Sequence, residues 1–238
     1  MLYNNGDIVE EDKEKAFYWF KKSAEEGHGE AQFEVSHMYR IGVGVKMDKE
    51  QAFYWAQKSA EHGERDVQFN LGLMYDLGQG TTQDDNQAFY WYKRSAKQGH
   101  MSAQYNLANM YRDGRGTKID YVRSFNWCLE SAEQEHAKAQ YLLSKMYYFG
   151  EGTTEDKAKA FYWCEKSAEK DCAEAQFDLG TMYLRGDGVV ANKEQADYWT
   201  KKSYENGYET AKDILKEERY NREIENTVFD DMLKPQVS

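Results

Sequence analysis

The stretch DKEQAFYWAQKSAEHGERDVQFNLGLMYDLGQG, residues 48–80, decides the fold, because close copies of it precede and follow it. Its Trp55 is one of six tryptophans, with Trp19, Trp91, Trp127, Trp163 and Trp199, each 36 residues from the next. Chance would put all six in one phase of such a period with a probability of about 10⁻⁸, so the chain is a repeat. Other columns keep the step: Ala16, Ala52, Ala88, Ser124, Ala160 and Ala196, and likewise Gln32, Gln68, Gln104, Gln140 and Gln176. Six units follow without insertion: 12–47, 48–83, 84–119, 120–155, 156–191 and 192–227.

Each unit reads as two helices. Asp12, Asp48, Asp84, Asp120, Asp156 and Asn192 are the expected N-caps of the first, since a short acceptor side chain satisfies an orphan backbone N–H. Gln51, Gln87 and Gln195 fall where a capping box needs them. Ala16, Trp19, Ser23 and Ala24 share one helical face, and Gly27, Gly63, Gly99 and Gly207 supply the left-handed residue that ends the helix. The second helix carries Ala31, Val35, Met38 and Tyr39 and closes on a Gly-x-Gly pair such as Gly42 and Gly44. Neither helix can bury its apolar face alone, so stacking on the next unit must do it. An all-α solenoid of stacked 36-residue helix-turn-helix repeats is predicted, with each tryptophan buried against the following copy.

The recurring A-F-Y-W, K-S-A-E-x-G, A-Q, L-G-x-M-Y and G-x-G elements resemble the Sel-1-like repeat, a relative of the tetratricopeptide repeat, over nearly the whole chain. The resemblance implies a right-handed superhelix that serves as a protein-interaction scaffold or adaptor. It implies no particular partner.

The two ends break the pattern. Leu2, Tyr3 and Gly6 fall where Met38, Tyr39 and Gly42 fall one unit later, so residues 1–11 read as the tail of a partial preceding repeat. Either the array continues upstream or a truncated unit opens the protein. In both cases an apolar edge with Phe17, Trp19 and Phe20 is expected, open to further repeats or to self-association. In the last unit Asp197, Tyr204, Lys212 and Arg219 replace column residues, which reads as a polar cap. A charged helix from Glu209 to about Glu225, keeping Ile214, Leu215 and Ile224, and a loose tail over 228–238 complete the expectation.

Composition removes several functions. Of 238 residues, 42 are acidic and 31 basic, a net charge of −11 that disfavours a nucleic-acid partner. No apolar run approaches a membrane span, and the first residues lack the features of a signal peptide. A cytoplasmic protein, or a translocated effector, is the resulting expectation. Cys128 and Cys164 share a column on adjacent units roughly 10 Å apart, beyond disulfide reach. Cys164 and Cys172 have the spacing of a cysteine-rich branch of the family but stand four residues from its pair of columns, so reduced thiols are expected. His28, His100 and His136 form a loop column one repeat apart, too far to share a metal, and read as solvated. The recurring serines, Ser59 and Ser95 among them, read as small packing residues, and no nucleophile motif or P-loop occurs. The chain is not expected to be an enzyme or to hold a cofactor or metal. The alternative, a β-lactam-binding or cell-wall-associated enzyme-like protein, comes from the cysteine-rich relatives alone. A second alternative is a repeat fragment of a larger scaffold.

Within a repeat array, columns that vary are where a partner's identity can be specified. By the same resemblance the second helix lines the concave groove, with the columns of Phe33, His37, Arg40 and Ile41 pointing inward. The first is uniformly aromatic (Phe33, Phe69, Tyr105, Tyr141, Phe177) and reads as inter-repeat packing. Two others vary: His37, Leu73, Asn109, Lys145 and Thr181, then Arg40, Asp76, Arg112, Tyr148 and Leu184. These ten are the candidate protein- or peptide-binding residues, with Asn109, Arg112, Lys145 and Tyr148 expected to cluster into a mixed polar and aromatic pocket.

Overall fold

A computed structural model describes residues 10–212, and all regular structure in them is α-helical. The first helices of the units are α1 (Glu10–Glu25), α3 (Lys49–Ala60), α5 (Asp85–Ala96), α7 (Tyr121–Glu133), α9 (Lys157–Ala168) and α11 (Lys193–Glu205). The second helices are α2 (Gly29–Ile41), α4 (Arg65–Leu77), α6 (Met101–Asp113), α8 (Ala137–Phe149) and α10 (Ala173–Arg185). Residues 209–212 are again helical, and the rest of the expected capping helix, with Ile214, Leu215, Arg219 and Ile224, lies outside the described residues. The same holds for Leu2, Tyr3 and Gly6. The chain forms two compact units, Met1–Ser131 and Ala132–Ser238.

In the first unit α2 packs on α3 and α4 on α5 more extensively than α1 packs on α2 or α3 on α4. The second unit repeats the scheme with α8 on α9 and α10 on α11. Sequence dictates this through side-chain volume. A Cβ on Gly72 of α4 would lie 2.7 Å from the Tyr92 ring of α5, and one on Gly180 of α10 would lie 2.6 Å from the Thr200 hydroxyl. The missing side chain is the notch that admits the next repeat.

The tryptophans are placed differently from the prediction. Trp91 packs against the cluster that contains Leu71 and Met74, Trp127 against that of Leu107 and Met110, and Trp199 against that of Leu179 and Met182. Each indole therefore meets the preceding copy. Trp55 is buried, Trp91, Trp127, Trp163 and Trp199 are half-buried, and Trp19 is 63% exposed. The seam between repeats is filled instead by Ala52, Ala56, Ala88 and Tyr92, whose volumes suit close helix approach.

Polar side chains tie the repeats together. The Ser59 hydroxyl donates to the Gly29 carbonyl at 2.8 Å, Ser95 to Arg65 at 2.6 Å and Ser131 to Met101 at 2.8 Å. In the second unit Ser167 reaches the Ala137 carbonyl and Ser203 that of Ala173. The serine column thus answers a first-turn carbonyl of the preceding second helix, beyond the packing role read from sequence. Glutamines work within a unit: Gln68 donates to the Ala60 carbonyl and Gln176 to that of Ala168.

The helix ends correct two expectations. Asp48, Asp84, Asp156 and Asn192 accept from backbone N–H groups of their first turns, but α1 starts at Glu10, so Asp12 lies inside the helix. The reciprocal half of the capping box is pre-empted, because the cap residue's own N–H donates to a tyrosine carbonyl of the preceding helix, as Asp48 does to Tyr39 at 2.9 Å and Asp156 to Tyr147 at 2.9 Å. Glu135 and Asp171 occupy the left-handed position that glycine fills elsewhere.

His100 and His136 are N-caps, not merely solvated loop residues. Their Nδ1 atoms accept from the Ala103 and Ala139 N–H groups at 3.2 Å. The His100 ring stacks on Phe69 with centroids 4.4 Å apart, and its burial pulls the imidazole below its usual range against the opposing pull of Asp66. A cap that accepts must be neutral, so its stabilisation is full above the ordinary histidine value of 6.5 and fades as pH falls below it. His100→Asn, which caps without titrating, is expected to flatten the decline of the urea midpoint between pH 7 and 5. An unchanged slope would show that another group sets it.

Candidate partner-binding face

In the first unit the varied columns do not act alike. His37, Arg40 and Leu73 line one cleft of about 110 Å³ with Phe33, Asn70 and Gln79. Asp76 is withdrawn from any such role: it accepts from the Tyr92 hydroxyl at 3.1 Å and from Arg115, which also bonds Asp85. That network leaves the Asp76 side chain 17% exposed and holds the Arg115 guanidinium above its ordinary range, through its bonds to Asp85 and Asp76. Asn109 spends a donor on its own helix, to the Tyr105 carbonyl at 2.9 Å. Arg112 pairs with the neighbouring Asp113 at 2.9 Å on the surface.

The second unit holds a larger cleft of about 250 Å³, which brings together Lys145, Tyr148 and Thr181 from the varied columns. Phe149, Asp178, Met182, Arg185 and Asp187 complete its wall. The Tyr148 hydroxyl donates to Asp187 at 2.9 Å, and Lys157 reaches the other oxygen of that carboxylate at 2.8 Å. Lys157, and then Tyr148, hold the Asp187 carboxyl below its usual value. Asp178 accepts from the Tyr141 hydroxyl at 2.7 Å, yet burial pushes its carboxyl up. Lys145 sits 5.5 Å from the Tyr141 ring, and neither it nor Arg185 has an ion-pair partner among the described residues. Thr181 donates to the Phe177 carbonyl at 3.2 Å, and the exposed Leu184 lies outside the cleft, where Arg185 takes the place expected for it.

The aromatic column packs as read. Phe69 and Tyr141 lie against the cores of their units, and Phe177 meets Tyr208 with centroids 5.1 Å apart. What sequence reasoning missed is the middle residue of Gly-x-Gly. Arg115 and Asp187 each fold back 39 residues, onto Asp76 and Tyr148, and each also engages the first turn of its own repeat, at Asp85 and Lys157. The opposite charges at positions 76 and 115 were the available signal.

Other chemistry is sparse. Cys128 and Cys164 are buried, Cys172 is half-buried, and none of the three is in a disulfide. Burial raises the Cys128 and Cys164 thiols well above the usual thiol range. Among the described residues no group of three or more His, Cys, Asp or Glu could hold a metal ion, and no helix is long and apolar enough to cross a membrane.

Six stretches of the chain match the model of the Sel1 repeat: residues 1–28, 29–64, 65–100, 102–136, 137–172 and 173–208. Most of them pair a second helix with the following first helix, which is the more extensively packed pair. Among solved structures, the chain is similar to a protective antigen of uropathogenic Escherichia coli strains that displays an SLR fold. The identity is 34% and the TM-score 0.79, over 83% of this chain and 42% of that one, so this chain spans less than half of the antigen's length. It is equally similar in fold to a Sel1 repeat protein from Oxalobacter formigenes, at 31% identity and a TM-score of 0.79, over 86% of this chain and 82% of that one. An immunity protein from Pseudomonas aeruginosa, PA5088, shares the fold at 16% identity and a TM-score of 0.51, with 86% and 88% of the chains covered. No curated protein matches. Repeat register, packing and family model agree, and the chain belongs to the Sel1 repeat family.

Proposed function

We propose that the protein is a non-catalytic scaffold that binds a protein or peptide along the exposed face of its second helices. A Sel1 repeat fold of this kind is typical of protein–protein interaction scaffolds. One observation carries the reading. Columns that build the array are spent on it, as seryl and glutaminyl bonds to backbone carbonyls, while the columns of His37 and Arg40 vary and border clefts in both units. Of the ten candidates, His37, Arg40, Leu73, Lys145 and Tyr148 are best placed for contact. Asp76, Asn109 and Thr181 are occupied by their own chain, and Arg112, paired with Asp113, and Leu184 do not line the clefts.

The test is a pull-down from the native host with Arg112→Glu/Lys145→Glu, checked for helicity by circular dichroism. The exposed ion pair of Arg112 with Asp113 contributes about 0–1 kcal/mol and Lys145 makes none among the described residues, so the variant is expected to fold. Loss of captured proteins, with capture retained by Tyr162→Ala/Lys166→Glu on a first helix, is the expected result. A folded variant that keeps every partner would refute the assignment.

A further inference from the structure

The cleft of the second unit does not share the acidic balance of the chain as a whole. Lys145 and Arg185 line it opposite two carboxyls, Asp178 and Asp187, and Lys157 pairs with Asp187 from outside the lining, while the protein carries a net charge of −11. Its two carboxyls are already committed: Asp187 to Lys157 and Tyr148, and Asp178 to the Tyr141 hydroxyl. Burial further disfavours the ionised form of Asp178. Lys145 and Arg185 favour the ionised forms of Asp178 and Asp187 from a distance, but neither makes an ion pair among the described residues. They sit on different helices, α8 and α10, and border the same space. Beside them Phe149 is 64% exposed at the end of α8, and Met182 lies in the wall. A solvent-facing phenylalanine in one cleft with two cations that make no ion pair among the described residues favours a ligand that brings both an apolar side chain and negative charge.

We infer that this cleft takes an acidic peptide segment of a partner protein, its side-chain carboxylates meeting Lys145 and Arg185 while an adjacent apolar side chain covers Phe149. The inference rests on the scaffold reading and gives its partner a chemistry. Two separated cations call for two carboxylates, which neighbouring Asp or Glu residues supply and a lone chain terminus does not. Arg185 can take a carboxylate in the bidentate manner, whereas Lys145 acts as a point charge. Electrostatic matching of this kind also predicts binding that weakens as salt rises.

The experiment is selection of a random twelve-residue peptide library, displayed without a free C-terminus, on the full chain, with K145E/R185E as counter-target. Expected are peptides with two Asp or Glu within a few residues of Phe, Leu, Met or Trp. Synthetic copies are expected to lose at least tenfold in affinity when either K145E or R185E is introduced. They should lose as much when the peptide's Asp and Glu become Asn and Gln, and a smaller amount with Phe149→Ala. Peptides lacking acidic residues yet competed by changes at His37, Arg40 or Tyr148 would overturn the acidic chemistry and leave the scaffold reading standing. Peptides whose binding is lost only on Tyr162→Ala/Lys166→Glu would overturn both. Equal affinity for wild type and K145E/R185E would overturn the inference alone.

Discussion

Tyr92→Ala is expected to destabilise the first unit by about 3–5 kcal/mol, the range for removing a large buried aromatic side chain. Tyr92 is fully buried, although its column holds alanine at 56 and cysteine at 128 and 164. It fits because Gly72 leaves the space, and its ring also meets Phe69 with centroids 5.8 Å apart. Truncation opens a cavity at the joint between α4 and α5 and takes the hydroxyl from Asp76, where Arg115 remains to compensate. Tyr92→Phe separates the two contributions and should cost about 1 kcal/mol, the net value of one hydrogen bond. Trp91→Ala, one residue away, is expected to cost less, about 1–3 kcal/mol, because its indole is half-buried. Urea unfolding followed by circular dichroism measures all three. A Trp91→Ala variant less stable than Tyr92→Ala would show that the tryptophans, not the seam residues, hold the repeats together.

Gly80→Ala is the second large effect, at about 2–5 kcal/mol. Gly80 has a φ of 73°, a left-handed conformation that costs an L-residue about 1–2 kcal/mol. A Cβ there would also fall 1.9 Å from the Lys49 carbonyl oxygen, so the loop must move off the first turn of α3. Overpacking of that kind adds about 1–3 kcal/mol. Hydrogen exchange locates the damage: protection should fall first around residues 78–84 and the start of α3. Gly63→Ala is the control, since Gly63 has a φ of 97° but nothing within 4 Å of its added Cβ. Equal losses at the two positions would mean that backbone conformation alone matters and the carbonyl contact does not.

Much of the fold was legible because a 36-residue period makes each column an experiment repeated down the chain. The aspartate caps, the Gly-x-Gly turns and the buried alanines could be read from residue type alone. Direction of packing could not. Trp91 meeting the preceding or the following copy gives the same periodicity, and only the notch at Gly72, filled by Tyr92, decides it. The histidine caps were missed because histidine is an uncommon cap, and its role depends on which ring nitrogen faces Ala103. At the binding face, column variation located Lys145 and Tyr148 but could not separate a free side chain from an occupied one. Asp76 varies like its neighbours, yet Arg115, 39 residues on, claims it. Asp187 and Arg185 lie near the following turn and were passed over because that turn was read as a helix end alone.

A photo-crosslinking residue placed in turn at positions 37, 148 and 162, in cells that produce the protein natively, bears most directly on the binding face. His37 and Tyr148 border the clefts, and Tyr162 stands exposed on a first helix. Crosslinks to a partner protein from positions 37 or 148, and none from 162, are the predicted outcome. Crosslinks confined to position 162 would contradict it.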